Sequence, residues 1–220
     1  MMNKNTLLHP DLLAKTALYQ SWSPKQAEAF KNLAQTCFND GALNRLEKEL
    51  IAVGSAHTLK CPYCIDYHID LAYKAGAAKE QLIEAAWIGI SMSARACLDI
   101  TPVTLDALNR AVKTYSSEND NEKIQQFSLL NQACNEAFIN LENVTLKTGA
   151  IDIELKQLIA LACSHNLKSP LTIQKLAEGA VELKLSNEKI AESVWVAIEM
   201  EAGACFGHSG LTAKLLEERV

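Results

Sequence analysis

Apolar residues recur along this chain at the spacing of α-helices. Two stripes repeat every three or four residues, which places the members of each on one side of a helix. They are formed by Leu46, Leu50, Val53 and His57, and by Ile83, Trp87, Ile90, Ala94 and Cys97. Glycine and proline, which interrupt helices, number only 9 and 5 among 220 residues. The pattern predicts an all-α fold in which both stripes, including Trp87 and Cys97, face the core.

The second half of the chain repeats the first at a constant shift of 108 residues. Between positions 28 and 99, 25 of the 72 residues recur, among them Leu50-Ile51-Ala52 as Leu158-Ile159-Ala160 and His57 as His165. Shared helical composition would not keep one register without a gap over this length. We therefore predict a tandem duplication, with helical domains at residues 1–115 and 122–220. The polar residues 116–121 are the predicted linker.

The net charge, the apolar runs and the spacing of the cysteines limit the classes of protein to which this chain can belong. The net charge of -5, with no basic cluster, argues against a nucleic-acid partner. No apolar run approaches the roughly 20 residues that span a bilayer, and the N-terminal residues lack the features of a signal peptide. The seven cysteines show no framework spacing, which is typical of reduced thiols. We therefore expect a cytoplasmic protein that binds neither nucleic acid nor membrane.

The repeat also separates residues that the scaffold needs from residues that are candidates for chemistry. Features present in both halves are expected to be structural, as for His57 and His165. Four first-half residues are replaced in the second half while their neighbours are kept. Glu49 becomes Gln157, Cys61 becomes Ser169, Cys64 becomes Thr172 and His68 becomes Leu176.

Cys61, Cys64 and His68 fall on one face of a predicted helix. Ser169-Pro170 has the form of an N-cap followed by proline at the first helical position, so Cys61 is expected to cap its helix in the same way. Residues three and four apart on a helix are neighbours. Free amide groups and the helix dipole favour a thiolate in the first turn. His68 can take the proton of Cys64, and Glu49 on the preceding helix can orient that histidine.

Three interpretations of this group compete. A redox-active dithiol is favoured, because a carboxylate on a different helix is lost together with the cysteines. A zinc site would use Cys61, Cys64, His68 and Glu49 as ligands, but a single Cys-x-x-Cys is weaker support for metal. Buried cysteines without a function are the third interpretation. We therefore expect neither a metal nor a cofactor.

The run from Glu49 through Cys61-Pro-Tyr-Cys64-Ile-Asp-Tyr-His68 resembles the carboxymuconolactone decarboxylase superfamily, and within it the alkylhydroperoxidase-D-like branch. The shared pattern is a glutamate twelve residues before the first cysteine, then Cys-x-x-Cys-x-x-x-His, then an alanine-rich helix. It is specific over residues 45–100 and weaker over 153–208. Tyr63 departs from the pattern, since the best-known member has a histidine between its two cysteines.

The resemblance implies an all-α homo-oligomer, for which a fused pair would form a trimer of pseudo-dimers. It implies reduction of a hydroperoxide, or of a partner's disulfide, with electrons from a thiol donor. In that scheme Cys64 is the peroxidatic cysteine, Cys61 the resolving cysteine, and His68 and Glu49 the proton relay. A non-enzymatic redox sensor or interaction protein is one alternative function, and a carboxymuconolactone-type decarboxylase is another.

Overall fold

The computed structural model describes residues 10–112 and 119–219, which form α-helices and no strand. The all-α prediction is therefore confirmed for this part of the chain. No helix within it is long and apolar enough to cross a bilayer. In chain order the helices are α1 (Pro10–Trp22), α2 (Pro24–Phe38), α3 (Arg45–Thr58), α4 (Pro62–Lys74), α5 (Lys79–Asp99), α6 (Thr101–Ala111), α7 (Asp120–Leu129), α8 (Gln132–Leu146), α9 (Ile153–Asn166), α10 (Pro170–Glu182), α11 (Asn187–Gly207) and α12 (Ser209–Glu217).

The bounds of the helices repeat along the chain. Helices α2 to α5 begin and end at the same positions as α8 to α11 once 108 residues are added; Pro24–Phe38, for example, becomes Gln132–Leu146. The turns repeat as well, because Lys60 and Lys168 both take a left-handed conformation, with φ of 53° and 54°. The helix order of the two halves is thus the same, while their origin by duplication stays a prediction.

Four helices form the centre of the molecule. Helices α3 and α9 lie against each other, and each of them packs against both α5 and α11. Their side chains at the centre are almost fully inaccessible, as Leu50 (0% exposed) and Leu158 (1% exposed) illustrate. Helices α3 and α5 approach closely: a Cβ on Gly89 would lie 2.5 Å from the carbonyl oxygen of Gly54. The core therefore joins both halves and encloses the candidate residue Glu49 of α3, which is also 0% exposed.

The terminal helices of each half pack against terminal helices of the other half. Helix α1, at the start of the first half, packs on α12 at the end of the second half, and α7 packs on α6 in the corresponding manner. The predicted linker at residues 116–121 lies partly outside the described residues. Its described part starts a helix, since Asn119 caps α7 and accepts a hydrogen bond from the N–H of Asn121 at 2.9 Å.

Two matching ion pairs also join the halves. Glu192 of α11 accepts hydrogen bonds from the backbone N–H groups of Ala42 and Leu43, both at 2.9 Å, and lies 3.0 Å from the buried ammonium of Lys48. Glu84 of α5 does the same for Ala150, Ile151 and Lys156. Each glutamate thereby fixes the start of the central helix of the other half, α3 or α9.

One of the two predicted stripes does not face the core. Ile83, Trp87 and Ile90 of α5 are 45%, 47% and 44% exposed, and Ala94 and Cys97 are exposed as well. The buried face of α5 instead carries Leu82, Ala85, Ile88, Gly89, Ser91 and Met92. Gly89 on this face lets α5 approach α3 closely, while Ile83, Trp87 and Ile90 remain on the opposite face. Trp195 and Cys205, the second-half counterparts of Trp87 and Cys97, are exposed too.

Candidate functional site

The two cysteines lie at the start of α4. Cys61 is the N-cap residue, and its Sγ accepts a hydrogen bond from the N–H of Cys64 at 3.2 Å. Pro62 follows at the first helical position, where its missing N–H costs no helical hydrogen bond. Cys61 and Cys64 form a disulfide, with their Cα atoms 5.3 Å apart. Both cysteines are buried. The two sulfurs can therefore be joined at the N-terminus of α4 without being exposed to solvent.

His68 lies one turn further along α4 and is bound to Glu49 of α3. Its Nδ1 donates to Oε2 of Glu49 over 2.8 Å, and both side chains are buried. Because the carboxylate can only accept, this bond fixes the imidazole with its proton on Nδ1. The other ring nitrogen, Nε2, is thereby left to take a proton from a thiol.

Neighbouring side chains hold this pair in place. Arg45 Nη2 lies 2.5 Å from Oε1 of Glu49; the contact is an ion pair without well-aligned hydrogen-bond geometry. The same guanidinium lies over the ring of Phe38, 4.9 Å from its centroid. Phe38 in turn stacks on the imidazole of His68, with ring centroids 5.4 Å apart and 23° between the planes. Tyr67 meets that imidazole edge-on at 5.2 Å. These contacts leave His68 little freedom to rotate.

A cavity of about 410 Å³ lies in front of the site. Its wall includes Cys64 and His68, whereas Cys61 does not line it. Most of the remaining wall is apolar and comes from α1, α2, α4 and α11. The larger apolar side chains are Leu13, Phe30, Phe38, Leu71, Met200 and Phe206. A small molecule in this cavity would therefore meet the sulfur of Cys64 first.

The second half supplies one side of this cavity, which the sequence analysis missed. Glu199 and Met200 of α11 line it, and Phe206 packs against Phe30 of α2 with ring centroids 4.8 Å apart. The internal repeat could have revealed Glu199. Its first-half counterpart is Ser91, so this glutamate occurs in one half only, as the four first-half site residues do. His208, another residue without a counterpart, meets the ring of Tyr63 edge-on at 5.2 Å.

The corresponding place in the second half is filled by a carboxylate. Ser169 and Thr172, which replace the cysteines, both donate to Oδ2 of Asp99, the last residue of α5. At the first-half site the position that corresponds to Asp99 is held by Gly207, the last residue of α11, which lies beside Cys61 and Tyr63. Gln157, which replaces Glu49, donates from Nε2 to the carbonyl oxygen of Leu176 at 2.7 Å. The second half thus has hydrogen-bonded polar side chains in place of the dithiol and of Glu49, and an apolar leucine in place of the histidine.

The other thiols are in different surroundings. Burial raises the pKa of Cys37, Glu199 raises it further, and Lys48 opposes this. Burial also raises the pKa of Cys163. Thiols of this kind are poor nucleophiles. Cys97, Cys134 and Cys205 are exposed and free.

The remaining candidates show no further chemistry. Nδ1 of His57 and of His165 lies 2.8 Å and 2.9 Å from the carbonyl oxygen four residues earlier in its own helix, as the structural assignment of both histidines predicts. Across the ranges 10–112 and 119–219, no three His, Cys, Asp or Glu side chains are grouped as metal ligands. The catalytic roles of Cys61, Cys64, His68 and Glu49 remain predictions, but the structure brings all four together.

A model of the carboxymuconolactone decarboxylase family matches residues 24–101. This segment of the chain is similar to that family. The predicted resemblance to the superfamily is therefore confirmed for this segment, which contains α2 to α5 and all four site residues. The assignment to the alkylhydroperoxidase-D-like branch stays a prediction.

Two relatives are similar to a shorter segment of the chain. One is an uncharacterized protein of the cox locus of Paracoccus denitrificans, 45% identical over 69 residues. The other is an uncharacterized protein of Cupriavidus necator, 36% identical over 69 residues. Each match covers 31% of this chain, and 62% and 61% of the respective relative. No solved structure matches this chain.

Proposed function

We propose that this protein is a thiol-dependent peroxidase that reduces an organic hydroperoxide through Cys64 and Cys61. The observation that supports this most directly is the position of Cys64. Its side chain is in the wall of an apolar cavity, at a helix N-terminus and one turn before a histidine that is oriented by a buried glutamate. This combination activates a thiol, because the helix terminus stabilises the thiolate and the imidazole can accept its proton.

The reaction begins with the reduced dithiol. The Cys64 thiol gives its proton to Nε2 of His68, and the thiolate attacks the terminal oxygen of the hydroperoxide. The O–O bond breaks, and Cys64 becomes a sulfenic acid. The leaving alkoxide is protonated to the alcohol, and the imidazolium of His68 is the ultimate source of that proton. Cys61 then attacks the sulfur of Cys64, and water leaves as the disulfide closes. The Cα separation of 5.3 Å in the closed disulfide lies within the range of ordinary disulfides. An external thiol donor returns the pair to the reduced state.

The cavity favours small, apolar substrates. Its larger lining side chains are aliphatic or aromatic, so an organic hydroperoxide would bury its carbon chain there. Reduction of a protein disulfide is a less favourable alternative, because the side chains of Cys61 and Cys64 are 1% and 7% exposed. A macromolecular disulfide would not reach sulfurs at that depth. The thiol donor is expected to be small for the same reason.

Two other functions are compatible with the family, and simple experiments distinguish each of them from the proposed peroxidase. A carboxymuconolactone-type decarboxylase does not need the cysteine pair, so a protein with both cysteines replaced by serine would keep that activity. A redox sensor would be oxidised once and would not turn over. Steady consumption of hydroperoxide in the presence of a recycling dithiol distinguishes the peroxidase from both.

The test compares Cys64→Ser and Cys61→Ser with the wild-type protein. Cys64→Ser is expected to abolish reaction with cumene hydroperoxide, since serine cannot form the sulfenate. Cys61→Ser is expected to undergo one oxidation and to accumulate a sulfenic acid that dimedone traps. Cys97→Ser, at an exposed cysteine, is the matched control and should behave like the wild-type protein. The proposal fails if both site variants still turn over, and the roles of the two cysteines are exchanged if Cys64→Ser alone is oxidised.

A further inference from the structure

The cavity contains a carboxyl group that the reaction above leaves unused. Glu199 of α11 is 5% exposed and lines the cavity together with Cys64 and His68. Its Oε2 is buried and has no hydrogen-bond partner within residues 10–112 and 119–219. An ionised carboxylate without a partner is costly to bury, whereas a neutral carboxylic acid costs much less. The surroundings of Glu199 therefore favour its protonated form.

The charges around Glu199 support this protonation state in the resting site. Burial raises the pKa of Glu199, a charged His68 lowers it, and the carboxylate of Glu49 raises it. Arg45 also lines the cavity, but its guanidinium pairs with Glu49. The nearby thiol of Cys37 adds no charge that would oppose this, since burial is the largest cause of its raised pKa. Glu199 consequently holds a proton more readily than an ordinary glutamic acid, and it releases that proton more readily once His68 becomes charged.

We propose that Glu199 is the general acid of peroxide reduction and protonates the oxygen that leaves when the O–O bond breaks. This inference rests on the proposed peroxidase function. Geometry supports it, because Glu199 stands in the same cavity wall as the attacking sulfur but comes from a helix of the other half. Cys64, His68 and Glu199 all line this cavity. In the proposed step a bound hydroperoxide presents its terminal oxygen to the thiolate and its other oxygen to the carboxylic acid.

The step balances without a further reactant. His68 first takes the proton of the Cys64 thiol and becomes charged. The thiolate forms a sulfur–oxygen bond to the terminal oxygen of the hydroperoxide, the O–O bond breaks, and the leaving alkoxide takes the proton of Glu199 to become an alcohol. The carboxylate of Glu199 then recovers a proton from the imidazolium of His68. Cys61 and the Cys64 sulfenic acid condense to the disulfide and release water.

Two oxidants with different leaving groups test the role of Glu199. An alkyl hydroperoxide expels a basic alkoxide that needs a proton, whereas a peroxycarboxylic acid expels a carboxylate that does not. The rate of Cys64 oxidation is measured for each oxidant by stopped flow in a Cys61→Ser background, where only the first oxidation takes place. Glu199→Gln keeps the shape of the side chain and removes the acid. Glu201→Gln is the matched control, since Glu201 lies on the same helix and pairs with Lys168.

The expected result is a selective loss. With tert-butyl hydroperoxide, Glu199→Gln should lower the rate constant by about 10²-fold or more, which is typical when a general acid is removed. With peracetic acid the same variant should react nearly as fast as its parent, and Glu201→Gln should change neither rate. If Glu199→Gln lowers the rate constant equally with both oxidants, the substitution disturbs the cavity in general and the assignment is overturned. The assignment is also overturned if the rate constant falls with neither oxidant.

A second measurement does not depend on turnover. The infrared difference spectrum between reduced wild-type protein and Glu199→Gln at neutral pH should show the carbonyl stretch of a protonated carboxylic acid. Only a carboxylate signal in that difference would overturn the proposal even if the protein is a peroxidase. If the wild-type protein reacts with neither oxidant, the peroxidase function itself fails, and this step fails with it.

Discussion

Nδ1 of His68 lies 2.8 Å from Oε2 of Glu49, although 19 residues separate the two in the sequence. The hydrogen bond joins α4 to α3 inside the protein, where neither side chain is appreciably accessible to water. Water does not compete for such a bond, and the imidazole is held in one tautomer beside Cys64. The pair therefore has the properties of a proton acceptor with a fixed orientation.

Replacing either member of this pair should slow oxidation of the dithiol without removing the thiols. Glu49→Gln and His68→Leu introduce the residues that the second half already carries as Gln157 and Leu176. Each is expected to lower the rate of reaction with hydroperoxide by about 10²–10⁴-fold, because a general base is lost or misoriented. Stopped-flow oxidation of the reduced protein measures this rate.

The specificity of that effect can be checked in two ways. His68→Ala should recover part of its rate when imidazole is added, which would not occur if the substitution only disturbed folding. His165→Gln is the control, because that histidine is bonded within α9. Rates that are the same in wild-type protein and His68→Leu would contradict the relay.

The hydroxyl groups of Ser169 and Thr172 should matter for stability and not for oxidation. Both donate hydrogen bonds to the buried carboxylate of Asp99. Thr172→Val would remove one of these two hydrogen bonds. We expect the free energy of unfolding to fall by about 1–3 kcal/mol, since hydrogen bonds to charged groups are among the stronger ones. Urea denaturation measures the loss. Thr172→Ser retains the hydroxyl and is the matched control; equal stability of the two variants would show that the bond to Asp99 contributes nothing.

The ion pair between Glu192 and Lys48 should make stability depend on pH. Burial alone would raise the pKa of Glu192, but hydrogen bonds from Leu43 and Ala42 and the ammonium of Lys48 bring it below its ordinary value of 4.5. A carboxyl group whose pKa is lower in the folded protein stabilises the fold above the unfolded pKa. That stabilisation is lost as the pH falls through the folded pKa.

Glu192→Gln should therefore destabilise the protein by about 2 kcal/mol at neutral pH, and the difference from the wild-type protein should shrink in acid. Denaturant unfolding at several pH values provides the comparison. Glu188→Gln removes an exposed carboxylate one turn earlier in α11 and serves as the control. A difference between Glu192→Gln and wild type that stays constant down to strongly acid pH would argue against this explanation.

Self-association is expected to involve the exposed apolar residues of α5 and of α11. Trp87 and Ile90 on α5 and Trp195 and Ile198 on α11 are between 44% and 52% exposed. The family resemblance implies oligomers, and large exposed apolar side chains favour burial against a second copy. Light scattering should then give a multiple of the 24.1 kDa chain mass, with a trimer as the specific prediction.

Trp87→Glu should shift that oligomer toward the monomer, because a charge would have to be buried in the contact. Tyr73→Glu changes another exposed aromatic residue, on α4, and should leave the mass unchanged. A wild-type protein that is monomeric at all concentrations would rule out this arrangement.

Local patterns in the sequence were sufficient for the helices and for the candidate site. Apolar spacing and Pro at helix starts depend on neighbours in the chain, so they predict the all-α class and the position of Cys61 at the start of α4. The internal repeat added an unusual comparison, since the same scaffold occurs once with the dithiol and once without it. It singled out Glu49, Cys61, Cys64 and His68, which the fold then places side by side.

Only the tertiary structure decided which faces of the helices are buried and which distant residues complete the site. Helix α5 is apolar on more than one side, so periodicity could not show that Gly89 packs inward while Trp87 faces outward. The exchange between halves brings Glu199 to the cavity of the first half and Asp99 to Ser169 and Thr172. These contacts join residues far apart in the chain and depend on how helices pack. A local pattern in the sequence contains no information about such packing.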